Sequence, residues 1–327
     1  MMDLNNIHTG KNISLNGHTI LIGLMADPIR HSMSPTMHNN AFAKLGLNYA
    51  YLCFEIDNQK LPKAIDAIRT LDMRGSNISM PNKQKVIPYL DRLDESAELC
   101  QAVNTIVNDH GILTGYTTDG IGFMQSLKDE GLDITGQKMV LTGAGGAGTP
   151  IAMQAAIEGV KEIALFNIDD DKWENAVRNV KIINEKTGAH ATLHHLEDQA
   201  DFKKELASCD IYVDATAVGM KPLEDMTLVE DPTWFHQDMI VYDTVYAPRE
   251  TKLMQVAKRA GVNHVFNGLG MMLEQGAAAF KLWTGQDMPV LQLGDLLSVC
   301  LNMALNLSMR WTWVTDSLMK VCAMTAG

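Results

Sequence analysis

Apolar positions in this chain come in short runs, and the runs alternate between strand-like and helix-like spacing. His18-Thr-Ile-Leu-Ile-Gly23-Leu-Met25 reads as a first strand. Residues 26–35 follow as a loop marked by Pro28, Ser32, Ser34 and Pro35. Thr36 to Leu45 reads as a helix, Tyr49 to Ile56 as a strand, Leu61 to Thr70 as a helix and Gly75 to Met80 as a short strand. A second series begins with the apolar run Met139 to Leu141. A glycine turn follows, then a helix-like segment from Ala147 to about Gly159 and another strand from Glu162 to Phe166. Strands alternating with helices predict an α/β protein: an N-terminal α/β unit, then a Rossmann-type doubly wound unit.

The glycine turn has the G-x-G-x-x-G spacing at Gly143, Gly145 and Gly148. Each glycine has a separate task in such a loop. Gly143 lets the chain turn sharply, Gly145 lets backbone approach a pyrophosphate, and Gly148 lets the helix pack on the strand. The helix N-terminus then presents N–H groups and partial positive charge to phosphates. The second strand runs into Asn167-Ile168-Asp169-Asp170-Asp171, and Asp169 lies 21 positions after Gly148. That is close to the spacing of about 20 for an acid that bonds a ribose 2′-hydroxyl. A nucleotide site is expected here.

Length and composition narrow the setting. A chain of 327 residues predicts two domains, and 46% apolar with 20% charged residues supports a sizeable core. The net charge of −12 argues against nucleic acid or an anionic membrane as a partner. Five scattered cysteines without C-x-x-C spacing suit free thiols in a reducing cytoplasm and give no zinc pattern. His190, His194 and His195 form a loose cluster without strong ligand spacing, so no metal is expected. Residues 1–17 are polar, show no signal peptide and are expected to be a flexible tail.

Three stretches of the N-terminal unit carry polar groups that a bare scaffold does not need. In His31-Ser32-Met33-Ser34-Pro35, two hydroxyls two apart could donate to a carboxylate or, alternatively, cap a helix. In Asn77-Ile78-Ser79-Met80-Pro81-Asn82-Lys83, a proline turn carries Lys83 beyond the strand end. Ala102-Val103-Asn104-Thr105 and Gly115-Tyr116-Thr117-Thr118-Asp119-Gly120 complete the set, with Asp119 placed before a helix near Ile121.

Together the motifs PIRHSMSPTMHN, NISMPNKQ, AVNTIV, GYTTDGIGF, GAGGAG, ATAVGM, DTVYAPRETKL and GMMLEQGAAAFKLWTG, in this order, resemble the shikimate/quinate dehydrogenase family. The similarity runs from about Ile20 to Pro289. It implies a substrate domain over 1–119, a dinucleotide-binding domain over 120–270 with a cleft between them, and a C-terminal helical segment over 271–327 returning to the first domain. It also implies a monomer or homodimer acting on a small molecule in the cytoplasm. By the same resemblance Lys83 and Asp119 are the catalytic pair, and Ser32 and Ser34 take the substrate carboxylate. Ser79, Asn104, Tyr246 and Gln275 meet the rest of the substrate. The cofactor is expected at Gly143, Ala144, Gly145, Gly146, Ala147, Asn167, Asp169, Thr216 and Gly268.

The chemistry suits these residue types independently. Hydride transfer at a carbinol needs a proton acceptor within hydrogen-bond reach. A free lysine amine titrates near ~10.4, which suits a proton donor in ketone reduction, whereas alcohol oxidation needs the neutral amine and should quicken toward alkaline pH. Departures from the family pattern sharpen the expectations. Where members using NADP have Arg after the strand-end Asn, this chain has Ile168 and then three acids, so NAD is expected over NADP. Ser79 and Asn82 stand where many members have Thr and Phe, and the run resembles the subgroup using both shikimate and quinate. Thr117 and Asp214 each replace a usual Asn. Family chains end soon after Pro289, but this one continues. Its uncharged run Leu296 to Met309 has 14 residues, short of the roughly 18 a membrane span needs. Two alternatives stay open: a non-catalytic quinate/shikimate sensor on the same fold, and a dehydrogenase for a related polyhydroxy acid.

Overall fold

A computed structural model describes residues 15–30, 32–170 and 173–290. Residues 1–14 of the expected tail, His31, Asp171 and the whole extension after residue 290 lie outside the described residues. The chain divides into two compact units: one comprises the chain through Thr118 together with the segment from Gly276, the other Asp119–Gln275.

The first unit runs β1 (Ile20–Ala26), α1 (Ser34–Leu45), β2 (Tyr49–Glu55), α2 (Leu61–Thr70), β3 (Gly75–Ile78), β4 (Arg92–Leu93), α3 (Glu95–Cys100), β5 (Thr105–Asp109) and β6 (Ile112–Tyr116). The strands form one sheet in the order β2-β1-β3-β5-β6-β4. β1 pairs in parallel with β2 and β3, while β3–β5 and β5–β6 are antiparallel. Met25, Ile78 and Ile106 pack with Leu61, Ile65 and Ile68 of α2 in one buried cluster.

α1 starts two residues earlier than the sequence pattern suggested. Pro35 sits in its first turn, where a missing N–H costs nothing, and Gly46 closes it in the left-handed conformation (φ +67°). The N-cap is Met33, which makes no side-chain cap bond. Ser34 is therefore a first-turn residue, and its hydroxyl does not act as the helix cap.

The second unit runs α4 (Asp119–Asp129), β7 (Lys138–Thr142), α5 (Gly148–Ile157), β8 (Glu162–Asn167), α6 (Trp173–Lys186), β9 (His190–His195), α7 (Gln199–Leu206), β10 (Ile211–Asp214), β11 (Ile240–Asp243), α8 (Lys252–Arg259), β12 (His264–Phe266) and the start of α9 (Leu269–Thr284), whose residues from Gly276 belong to the first unit. Its sheet has the order β12-β11-β10-β7-β8-β9 with every adjacent pair parallel. The strands carry continuous buried runs such as Ile211 to Asp214 and Ile163 to Asn167, as a sheet covered on both faces requires. Strand order reverses between β7 and β10, and in open α/β sheets ligands bind beyond the carboxyl ends of the strands at such a reversal. No described helix is long and apolar enough to cross a membrane.

Candidate active site

The turn after β7 is built by two close backbone approaches. Gly143 has φ +94°, a conformation that favours glycine, and its N–H donates to the Phe166 carbonyl at 2.8 Å. A Cβ on Gly148 would lie 1.8 Å from the Gly143 carbonyl oxygen. Gly145 and Gly146 differ: a Cβ on either would meet nothing within 4 Å. The loop is thus tight underneath and open above, leaving the kind of space a pyrophosphate occupies beside a helix N-terminus. The residues fit a bound dinucleotide.

Asn167 supports this loop from β8. Buried at the strand end, its Oδ1 accepts the Ala144 N–H at 3.0 Å and its Nδ2 donates to the Ile168 carbonyl at 2.8 Å. Asp169 lies just beyond, exposed. Across the strand-order reversal, the Thr216 N–H donates to Asp214 Oδ1 at 2.9 Å, and Gly268 runs so close to Thr244 that a Cβ would lie 1.9 Å from its carbonyl oxygen. Tyr246 is exposed, and the half-buried Gln275 donates to the Met272 carbonyl at 2.9 Å.

Asp119 opens α4, and the two glycines behind it fix where that helix sits in its unit. A Cβ on Gly120 would lie 2.2 Å from the Pro150 carbonyl oxygen of α5, and one on Gly122 would lie 2.4 Å from the Gln275 nitrogen of α9. The helix carrying Asp119 therefore lies backbone-close to both the glycine-loop helix and the helix of Gln275. The sequence reading quoted these glycines only as part of a motif.

In the first unit, Ser79, Lys83 and Asn104 sit on hydrogen-bonded turns and strand ends, while Ser32 and Ser34 bond locally to each other. Ser32 Oγ accepts the Ser34 N–H at 3.2 Å. The Ser79 N–H donates to the Met25 carbonyl at 3.1 Å, and the Ser79 carbonyl closes a turn by accepting from Asn82 at 2.9 Å. Buried Asn82 donates through Nδ2 to the Ile56 carbonyl at 2.7 Å, tying this turn to the end of β2. Lys83 is half-buried, and its carbonyl accepts from Val103 N at 2.8 Å, next to Asn104.

Asn104 is buried. Its Oδ1 accepts from Thr118 N at 2.9 Å and from Thr105 Oγ1 at 2.9 Å, and its Nδ2 donates to Thr118 Oγ1 at 3.0 Å. Asn77, buried on β3, donates to the Asn104 carbonyl and to Thr105 Oγ1, both at 3.0 Å. Asn77, Thr105 and Thr118 were not singled out from sequence. A signal existed for Asn77: it stands two positions before Ser79, so an extended chain turns both to one face, and it is a polar residue in a buried strand.

The two replaced asparagines have separate fates. Thr117 is buried and donates to the Ala102 carbonyl, so its side chain serves the interior of the first unit. Asp214 is buried opposite Asp243, its partner in the β10–β11 register. Asp214 Oδ1 accepts from Thr216 N and from Thr142 Oγ1 (3.1 Å); Asp243 accepts from Val245 N (2.9 Å) and Thr251 Oγ1 (2.6 Å). Burial, then the neighbouring Asp214 charge, pushes Asp243 up to about 8; burial also raises Asp214. An unfolded aspartate ionises near ~3.9. Between these values the folded chain holds a proton that the unfolded chain has released, so stability falls as pH rises through this window and is lowest above about 8. Asp214→Asn keeps an acceptor for Thr216 and Thr142 and removes one buried charge. The variant is expected to melt about 5 °C higher at pH 8.5 and to show no gain at pH 4, read by thermal denaturation across pH.

The histidine cluster points to separate partners. His194 lies between Thr192 Oγ1 (2.7 Å) and Asp201 Oδ2 (2.5 Å), and His195 stacks on Trp173 at 4.2 Å. Among the described residues no group of three or more His, Cys, Asp or Glu is placed to hold a metal ion.

Comparison with known proteins places this geometry. Residues 24–106 match the family described as shikimate dehydrogenase substrate binding domain, and residues 268–292 the shikimate 5′-dehydrogenase C-terminal domain. A shikimate dehydrogenase (NADP(+)) of Streptococcus uberis is 56% identical over 285 residues, covering 86% of this chain and 97% of the relative. The crystal structure of shikimate 5-dehydrogenase from Listeria monocytogenes in complex with shikimate and NAD is 51% identical, with TM-score 0.85 over 86% of this chain and 98% of that one. A quinate dehydrogenase from Corynebacterium glutamicum in complex with NAD is 29% identical, with TM-score 0.77 over 86% of this chain and 99% of its own.

Proposed function

The chain belongs to the shikimate dehydrogenase family, and on that premise we propose that it oxidises shikimate reversibly to 3-dehydroshikimate, with quinate as a second substrate. The observation that carries this reading is the buried polar frame of the first unit. It gathers hydroxyls and amides (Asn77, Asn104, Thr105, Thr118) and the turn bearing Lys83, far more polar groups than packing needs. Ser32 and Ser34 take the ring carboxylate, and Ser79, Asn104, Tyr246 and Gln275 meet the remainder of the substrate. Lys83 takes the carbinol proton as the alcohol becomes a ketone and returns it in reduction; Asp119 is its partner. When bound, the dinucleotide supplies the hydride acceptor. Gly143 to Ala147, Asn167, Thr216 and Gly268 hold it.

NAD is the preferred cofactor in this reading. Support comes from Asp169, an exposed carboxylate at the end of β8 that accepts from a ribose hydroxyl and repels a 2′-phosphate. The Streptococcus relative is named for NADP(+), and the Listeria structure holds NAD, so relatives span both cofactors. The quinate activity is supported by Ser79. It has one methyl fewer than the usual Thr, and a methyl in a pocket is worth about 1–3 kcal/mol, enough to admit the extra hydroxyl of quinate.

One matrix of kcat/KM values tests all of this: NAD and NADP, each with shikimate and quinate, followed at 340 nm. NAD with shikimate is expected to be productive, and quinate measurable. A preference for NADP above tenfold overturns the cofactor assignment. No absorbance change with any pair overturns the enzyme in favour of a sensor, although a sensor has no use for Lys83 and Asp119.

A further inference from the structure

Tyr51 lies on β2, outside every motif that marks the family, and it is fully buried. Its hydroxyl donates to Asn77 Oδ1 at 2.6 Å, and the Ser34 side chain lies within reach of the phenol oxygen. The bonds continue from Asn77 to Thr105, from Thr105 to Asn104, and from Asn104 to Thr118. One phenol thus stands between α1, which carries Ser34, and β3, which carries Asn77 and through it reaches Asn104 just before β5.

The ring is held as firmly as its hydroxyl. His38 stacks on it at 4.5 Å with planes 16° apart, and Trp283 stands at 6.0 Å, itself anchored by donation to the Ile106 carbonyl at 2.9 Å. Burial pushes His38 down to about 3, so it is a neutral packing surface at working pH. A core that needed only volume here would be filled by phenylalanine, as it is at Phe42 and Phe280 beside it. The hydroxyl carries a hydrogen-bonding task instead.

We propose that Tyr51 is a positioning residue for substrate binding: its hydroxyl fixes the Ser34 hydroxyl where the carboxylate of the ring acid is received, and locks that end of the site to the Asn77–Asn104 end. The inference rests on the proposed dehydrogenase function. A hydroxyl proton rotates at little cost. Ser34 has one hydroxyl proton, so the phenol oxygen holds that side chain in place until an arriving carboxylate takes the proton's hydrogen bond, while the Tyr51 proton stays hydrogen-bonded to Asn77 Oδ1. Without the phenol, Ser34 loses this support and Asn77 Oδ1 loses its donor inside a buried frame.

The test reads binding separately from turnover. Shikimate Kd is measured by titration calorimetry in the wild type, Tyr51→Phe, Ser34→Ala and the double variant, alongside KM, kcat and dinucleotide Kd. Tyr51→Phe is expected to weaken shikimate about tenfold, equivalent to about 1.4 kcal/mol. Its kcat and dinucleotide affinity should stay within about twofold. In the Ser34→Ala background the same substitution is expected to weaken binding less than about threefold, because the residue it acts through is gone. Phe42→Leu controls for packing: its melting temperature falls while shikimate affinity holds.

Unchanged or tighter shikimate binding in Tyr51→Phe overturns the proposal. Equal effects in both backgrounds also overturn it, since they make the phenol a general packing element. So does a Tyr51→Phe protein too unstable to assay, or a Phe42→Leu protein with the same loss of affinity. A wild type that binds shikimate but turns over no substrate sinks the dehydrogenase reading alone, because the calorimetric comparison still decides the role of Tyr51.

Discussion

Lys83→Ala is expected to lower kcat for shikimate oxidation by about 10²–10⁴-fold while the dinucleotide Kd stays within about twofold. The size follows from the role: a carbinol cannot become a ketone without losing its hydroxyl proton, and the proposed acceptor is the amine that this substitution deletes. The fold should survive. Lys83 is half-buried at a turn, and the turn is held by main-chain bonds, Asn82 N to the Ser79 carbonyl and Val103 N to the Lys83 carbonyl, which alanine retains. Steady-state kinetics with fluorescence titration of the reduced dinucleotide separate the outcomes. Loss of dinucleotide affinity with intact turnover would move Lys83 out of the proton-transfer step.

Gly148→Ala and Gly145→Ala should separate two tasks that the glycine loop combines. Alanine at Gly148 places a Cβ 1.8 Å from the Gly143 carbonyl oxygen and 3.3 Å from Ala215 Cβ, a clash with rigid backbone that only a shift of α5 away from β7 can relieve. A loss of about 3 kcal/mol or more is expected, with a lower melting temperature even without ligand. Alanine at Gly145 meets nothing within 4 Å, so the free protein should keep its stability. The new methyl instead enters the space assigned to the pyrophosphate, and dinucleotide Kd should rise at least about tenfold. Equal stability of the two variants would refute the tight-below, open-above description of the loop. Unchanged dinucleotide affinity in Gly145→Ala would place the cofactor elsewhere.

The glycine loop was legible because its causes are local. A strand, a turn needing a positive φ at Gly143 and a helix packed through Gly148 are set by residues within a few positions of one another. The same holds for α2, whose apolar residues repeat on one helical face, and for most of β2. α1 was legible apart from its start. A serine before a proline suits both a cap and a first-turn position, and which one it takes depends on what its hydroxyl meets in the fold.

The rest of the site is not local. Tyr51 and Asn77 are 26 residues apart, Asn104 and Thr118 are 14, and each pair meets only through strand register. Thr117 stands two positions before the motif aspartate in sequence, yet its hydroxyl is spent on Ala102 inside the first unit. Asp214 and Asp243 are unremarkable acids until β10 and β11 align and bury them side by side.

By itself the sequence determined the class of fold, the dinucleotide loop and the residue types that a carbinol oxidation requires, because each is written in short-range spacing or in side-chain chemistry. Tertiary structure alone decided which polar groups share one buried frame and which acid must keep its proton. Those properties depend on burial and on partners brought from distant segments, and neither burial nor a distant partner exists until the sheets have formed.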